Sequence, residues 1–265
     1  MLIVAVHAAA LGVEDWLTEG QCSWNASKAG SCTFADRFAN VSRMRERMQK
    51  RHCRLAGAHP YATTRDVLRT LESELSKQLG GKTKKHMEGH SKDDAGEAWL
   101  QMVTELGINK PLRICEVGLD AGHSAVRWLC AFPEATLVSF DLFEHNASHI
   151  AAGFLSRSFP GRFRVVGGDT RNTLPAANHV RLNCDIISID GGHTEEVARN
   201  DINRLRPHAS TKHALLIDDV RCAWWLCRDP TRVWVDAIAA GLIVEHRCEV
   251  HRCCRGWCAG RYRNA

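Results

Sequence analysis

The sequence predicts an α/β protein, a mostly parallel seven-stranded sheet with helices on both faces and an antiparallel hairpin near its C-terminal end. Three observations predict it. From residue 111 onward, short apolar runs rich in β-branched residues alternate with stretches long enough for a crossover helix, the pattern of a parallel sheet covered on both sides. Five such runs each end at or beside an acidic residue. Two further strand-like runs, "GLIVEHRCEV" and "GWCAGRYR", follow with a short turn between them.

Taken in order, residues 1–60 show no clear period and read as an irregular extension. "TTRDVLRTLESELSKQLGG" (63–81) predicts a helix: Thr63 or Thr64 can cap it, Val67, Leu68, Leu71, Leu75 and Leu79 form an apolar stripe, and Gly80-Gly81 stop it. Polar residues 82–95 read as a linker, and "AGEAWLQMVTELGIN" (95–109) as a second amphipathic helix. The domain division is therefore 1–94, a partly helical extension, and 95–265, the main domain. The five parallel strands are "LRICEVG" (112–118), "ATLVSFD" (135–141), "RFRVVGGD" (162–169), "CDIISID" (184–190) and "HALLIDD" (213–219). "HSAVRWLCAF" and "HTEEVARNDINRLRP" supply crossover helices.

Composition narrows the function classes. The chain has 265 residues, 45% hydrophobic and 25% charged, an ordinary globular balance. The net charge of +5 gathers in "RMRERMQKRHCR" and "KTKKH", which lack the aromatic interleaving of a nucleic-acid surface and read as solvated helix faces. No apolar stretch is long enough to span a bilayer. Twelve cysteines and three N-x-S sequons, at Asn25, Asn40 and Asn146, fit a secretory route. The start "MLIVAVHAAALG" is a poor signal peptide, with no basic residue ahead of its apolar part. A cytoplasmic location with reduced thiols is the default expectation, and the secretory lumen the alternative. "CEVHRCCRGWC" lacks two C-x-x-C knuckles, so disulfides or buried thiols are expected there rather than zinc.

The acids are the strongest signal. Glu116, Asp141, Asp169, Asp190 and the pair Asp218-Asp219 all stand at strand ends, where open α/β sheets bind ligands. Any single Asp there is explained by helix capping or a turn; five in register are not. In "EVGLDAGHSA" (116–125), Gly118 and Gly122 allow a tight turn, and the following helix begins near Ser124. The spacing is G-x-x-x-G, with Asp120 where a dinucleotide fingerprint needs its middle glycine, and Glu116 would repel a pyrophosphate. That acid suits a cationic or amine-bearing ligand, and Asp141 is placed to hold a ribose diol.

The set "EVGLDAGHS", "VSFD", "GDT", "IDGGHTEEVARNDI" and "LLIDD" closely resembles class I S-adenosylmethionine-dependent methyltransferases, in particular the small-molecule O-methyltransferase branch with D-G-x-H after its fourth strand, like methyltransferase family 24. The resemblance covers about residues 95–265 and implies a Rossmann-like fold. It implies that Glu116, Gly118, Gly122 and Ser124 bind the methionine end of S-adenosylmethionine. Asp141 would take the ribose, and Asp169 and Thr170 would flank the adenine. It further implies that Asp190, Asp218 and Asp219 bind a divalent metal, Mg2+, and that Asp190 and His193 are catalytic, with His193 as base. The free imidazole pKa of ~6.5 suits that task.

The expected reaction is methyl transfer to a hydroxyl of a small-molecule acceptor. A second copy of the chain is kept open as a partner. Trp224, Trp225 and Trp234 are read either as core or as the wall of an acceptor pocket. The rivals are a metal-independent methyltransferase, an NAD-type oxidoreductase (disfavoured by Glu116 and Asp120) and a non-catalytic binding module.

Overall fold

The computed structural model describes residues 52–56, 62–80, 93–177, 181–222, 225–251 and 255–264. Two short strands, β1 (His52–Cys53) and β2 (Ala62–Thr63), pair antiparallel ahead of helix α1 (Thr64–Gln78). Helix α2 (Asp93–Glu105) leads into the sheet. The sheet elements then alternate as expected: β3 (Arg113–Val117), α3 (His123–Ala131), β4 (Thr136–Asp141), α4 (Asn146–Ser158), β5 (Phe163–Gly167), α5 (Thr170–Ala177), β6 (Cys184–Ile189), α6 (Glu195–Leu205) and β7 (Ala209–Ile217). Helix α7 (Arg228–Ala239) and strands β8 (Ile243–His251) and β9 (Arg255–Tyr262) follow.

The seven strands lie in the order β5-β4-β3-β6-β7-β9-β8, the first five parallel and the last two antiparallel. The chain builds outward from β3 to β5 and then returns to place β6 on the other side of β3. This reversal opens a crevice at the carboxyl ends of β3 and β6, where open sheets bind ligands. β9 inserts between β7 and β8, so the hairpin joins the sheet through its second strand.

The pleat sorts the buried residues into two cores. Ile114, Leu137, Ile186, Ala214 and Leu216 face one side, packed with apolar residues of α1, α2, α3 and α4. Cys115, Val117, Phe140, Ile187, Ile189, Leu215 and Ile217 face the other, against α5, α6 and α7. Such near-continuous apolar strands follow from burial on both faces.

Helix α1 is capped by Thr63, whose hydroxyl accepts from the Asp66 amide while the Asp66 carboxylate accepts from the Thr63 amide, a reciprocal cap. Its stripe Val67, Leu68, Leu71 and Leu75 is buried in the same core as α3 and α4. The division at residue 94 thus falls within α2, and α1 and α2 share one hydrophobic core.

Eight cysteines pair among the described residues: Cys53–Cys130, Cys115–Cys184, Cys222–Cys227 and Cys248–Cys258. At Cys248–Cys258 the pairing is one of the two states the sequence left open, disulfide or buried thiol. The paired Cα atoms stand 4.0 to 5.8 Å apart, within reach of a bond. Cys22, Cys32, Cys253, Cys254 and both basic runs, apart from His52–Arg54, lie outside the described residues, as do Asn25, Asn40 and Trp224. No helix among the described residues is long and apolar enough to cross a membrane.

Leu71 is fully buried between α1 and the domain, so Leu71→Ala should cost about 2–5 kcal/mol. A single shifted urea midpoint is expected; an unchanged midpoint would show that α1 folds apart from the sheet.

Candidate active site

The backbone ladder continues past the strand ends and delivers the acids to one rim. Gly118 donates to Phe140, Asp190 to Val117, Asp218 to Ile189 and Gly168 to Asp141, all backbone to backbone at 2.8–2.9 Å. Below that rim lies a cleft of about 330 Å3, a size suited to a small ligand. Gly118, Ser124, Asp141, Asp169, Thr170, Asp190, His193 and Asp219 line it. Of the anticipated residues, Glu116, Gly122 and Asp218 do not.

Gly118 has φ +90, and a Cβ there would sit 1.9 Å from the carbonyl oxygen of Asp190. Only glycine lets the β3 loop lie against the β6 loop. Asp120 adopts φ +39, so an Asp fills the left-handed position of the turn, a conformation that Asp tolerates better than most residues.

Glu116 stands behind this turn, buried, with its Oε2 accepting from Ser139 Oγ at 2.9 Å. Burial pushes its carboxyl up to about 7, the negative charges of Asp190 and Asp141 adding to the effect against the Ser124 and Ser139 hydroxyls. Asp141 braces the loop: Oδ2 accepts from the amides of Leu119 and Asp120, and Oδ1 from that of Phe143. At the far end, Asp169 accepts from the Arg171 amide and pairs with its guanidinium, which also reaches Glu196. That pairing, led by the Arg171 hydrogen bonds, holds the Asp169 carboxyl below its usual range.

On the other side of the crevice the helix cap settles one ambiguity. Thr194, not Asp190, caps α6, its hydroxyl accepting from the Val197 amide at 3.4 Å. Asp190 therefore does not cap α6. His193 Nε2 lies 2.9 Å from Asp219 Oδ2, and the donor atoms of Asp190, His193 and Asp219 fall within 4.8 Å of one another. Asp218, expected as a third metal ligand, is not in that group. It turns to a small recess behind the loop, beside Ile217 and Pro230, because consecutive residues diverge where Asp219 adopts φ +50.

Several lining residues went unanticipated: Leu142, Glu144 and His145, directly after Asp141, and Arg171, Leu226 and Trp99. The first three were within reach, since they extend the motif that ends in Asp141. Trp99 comes from α2, and no local pattern points to it. Trp234 is buried and donates to Glu245 at 2.7 Å, which makes it core rather than pocket wall. Trp225 is 74% exposed next to Leu226.

Residues 115–220 match a family model described as a methyltransferase domain. Over this stretch the chain is similar to the methyltransferase domain that the model describes. Among solved structures, the domain is similar to an S-adenosylhomocysteine-bound methyltransferase of Podospora anserina (TM-score 0.58, 15% identity, 88% of this chain and 100% of that one). It is also similar to the O-methyltransferase of Bacillus cereus in complex with S-adenosylhomocysteine (TM-score 0.58, 15% identity, 72% and 90%). A third is the O-methyltransferase TomG of Streptomyces achromogenes (TM-score 0.57, 12% identity, 74% and 89%). At these identities the likeness is one of fold. No curated protein sequence matches the chain.

Two outcomes follow for this domain. Gly118→Ala forces the β3 and β6 loops apart and should cost roughly 2–5 kcal/mol, read as a lowered urea midpoint. Glu116 has a raised folded-state pKa, so its contribution to stability is complete below the ordinary range near 4.5 and is lost as pH rises through about 7. Glu116→Gln should flatten the fall in stability of the ligand-free protein between about pH 5 and about pH 8; parallel curves for the two proteins would contradict the assignment.

Proposed function

We propose that the chain transfers the methyl group of S-adenosylmethionine to a hydroxyl of a small-molecule acceptor. One observation carries this reading: Asp190, His193 and Asp219 converge on the switch-point side of a cleft whose other side is an acid-rimmed glycine turn. The cofactor's sulfonium and ammonium are cationic, and the carboxylates of Asp120, Asp141, Asp169 and Asp190 around the cleft suit them. In this reading Gly118 and Ser124 receive the methionine end, with Glu116 and Gly122 shaping the turn from behind. Asp141 takes the ribose, and Asp169 and Thr170 the adenine end. Three solved relatives named for S-adenosylhomocysteine or S-adenosylmethionine in their sites support the same cofactor.

The sulfonium makes the methyl group reactive, so the chain has two tasks: to hold donor and acceptor in line, and to take the acceptor's proton. A carboxylate such as Asp219 can only accept hydrogen bonds. In this reading its contact with His193 holds the imidazole proton on Nε2, and Nδ1 is the nitrogen that takes the acceptor's proton. The imidazolium that forms is steadied by the same carboxylate. Asp190, beside both, orients the hydroxyl.

A second reading is favoured by the spacing of the same three residues. Asp190 and Asp219, with His193 as the less suited nitrogen donor, fit a divalent cation such as Mg2+, which prefers oxygen ligands. When bound, such an ion would acidify and orient the acceptor hydroxyl. The disulfides favour the oxidising lumen over the cytoplasmic default.

Calorimetry should show binding of S-adenosylhomocysteine and none of NAD; the reverse would overturn the assignment. With an acceptor found by a labelled-methyl screen, His193→Ala should lower kcat about 100-fold or more while leaving S-adenosylhomocysteine affinity unchanged. Chelation separates the two readings, since activity that survives it excludes the metal.

A further inference from the structure

The loop after β7 carries two cysteines, beside Asp219, that the proposed methyl transfer does not use. Cys222 and Cys227 are joined by a disulfide, with Cα atoms 5.7 Å apart. Cys227 Sγ lies 4.0 Å from Asp219 Oδ1, and the donor atoms of Asp219, Cys222 and Cys227 all fall within 4.8 Å of one another. The other oxygen of Asp219 faces His193 Nε2 at 2.9 Å. One buried carboxylate therefore stands between a pair of sulfurs and an imidazole.

The position of this disulfide is more informative than its strength. Its sequence separation is 5, against 77 for Cys53–Cys130 and 69 for Cys115–Cys184. A cross-link over so short a loop constrains the unfolded chain least. The bond instead ties up two soft ligands beside an acid, in a donor spacing suited to zinc. Tetrahedral Zn2+ with sulfur at ~2.3 Å and carboxylate oxygen at ~2.1 Å places those atoms ~3.5 Å apart. The 4.0 Å separation is already close to that value. The sulfurs would have to move apart by side-chain rotation once their bond is broken.

We propose that the Cys222–Cys227 disulfide masks a zinc site, and that its reduction by a dithiol frees two thiolates which bind one Zn2+ together with Asp219. In the reduction the S–S bond breaks, and the dithiol supplies two electrons and two protons and becomes a disulfide itself. On binding, the two thiols release two protons, and two S–Zn bonds and one O–Zn bond form. The fourth position falls to water or to His193. Asp219 then serves zinc or His193 and Asp190, so the two arrangements compete for one carboxylate. The proposal does not depend on the methyl-transfer reading, and zinc binding is measured without cofactor or acceptor.

The test uses the full chain, reduced with dithiothreitol, freed of reductant under argon and dialysed against Zn2+ or Co2+. Reduced protein is expected to hold one thiolate-bound equivalent, marked by the thiolate-to-Co2+ charge-transfer band, that oxidised protein lacks. Reoxidation should release the ion, a control that requires no variant. Cys222→Ser and Cys227→Ser should each lose that equivalent. Asp219→Asn should weaken it about tenfold or more by removing one of three protein ligands. Cys248→Ser should keep it, which matters because Glu245, Cys248 and Cys258 form a similar trio. An unchanged Co2+ spectrum on reduction, retention in Cys222→Ser, or loss in Cys248→Ser would each overturn the proposal.

Discussion

The contact on which the site depends is the one between Gly118 and the carbonyl of Asp190. β3 and β6 are neighbours in the sheet but far apart in the chain, and their loops meet because one residue has no side chain. The 1.9 Å that a Cβ would leave is less than any packing can absorb. With that approach in place, the Asp190 amide donates to Val117, the glycine turn lies over the first strand, and Asp141 can pin it with both carboxylate oxygens. The same approach brings the cofactor side and the acceptor side of the cleft into one space.

Most of the architecture was legible because burial on both faces leaves a coarse mark. A strand that must be apolar at every position, followed by an amphipathic stretch, can be recognised without knowing its neighbours, and so can the acid that ends it. The hairpin was legible for the same reason. Strand order was not, since it is decided by long-range pairing. The place of α1 was legible only in part: its stripe and Thr63 cap are local features, but its burial with α3 and α4 depends on a surface built later in the chain.

The site divides along the same line. Asp190, His193 and Asp219 were identified as candidates, but the partner of each was not. That Thr194 rather than Asp190 caps α6 is a matter of backbone geometry at one turn, which the sequence does not display. Asp218 and Asp219 are adjacent in sequence, and which of them turns inward is decided by a left-handed backbone at Asp219 that composition does not encode. Trp99 reaches the cleft from another helix altogether.

The insertion of β9 between β7 and β8 has a bearing on how the protein is made. The Val220 amide, just past Asp219, donates to Gly256 at 2.9 Å, and Arg221 pairs with Glu245 of β8 at 2.8 Å. Those two strands leave the ribosome after everything else in the sheet. A nascent chain can therefore assemble the glycine turn and its bracing acids while the segment that ends at Asp219 still has an open edge. That edge must wait for its neighbour, so the two halves of the cleft mature at different moments of synthesis.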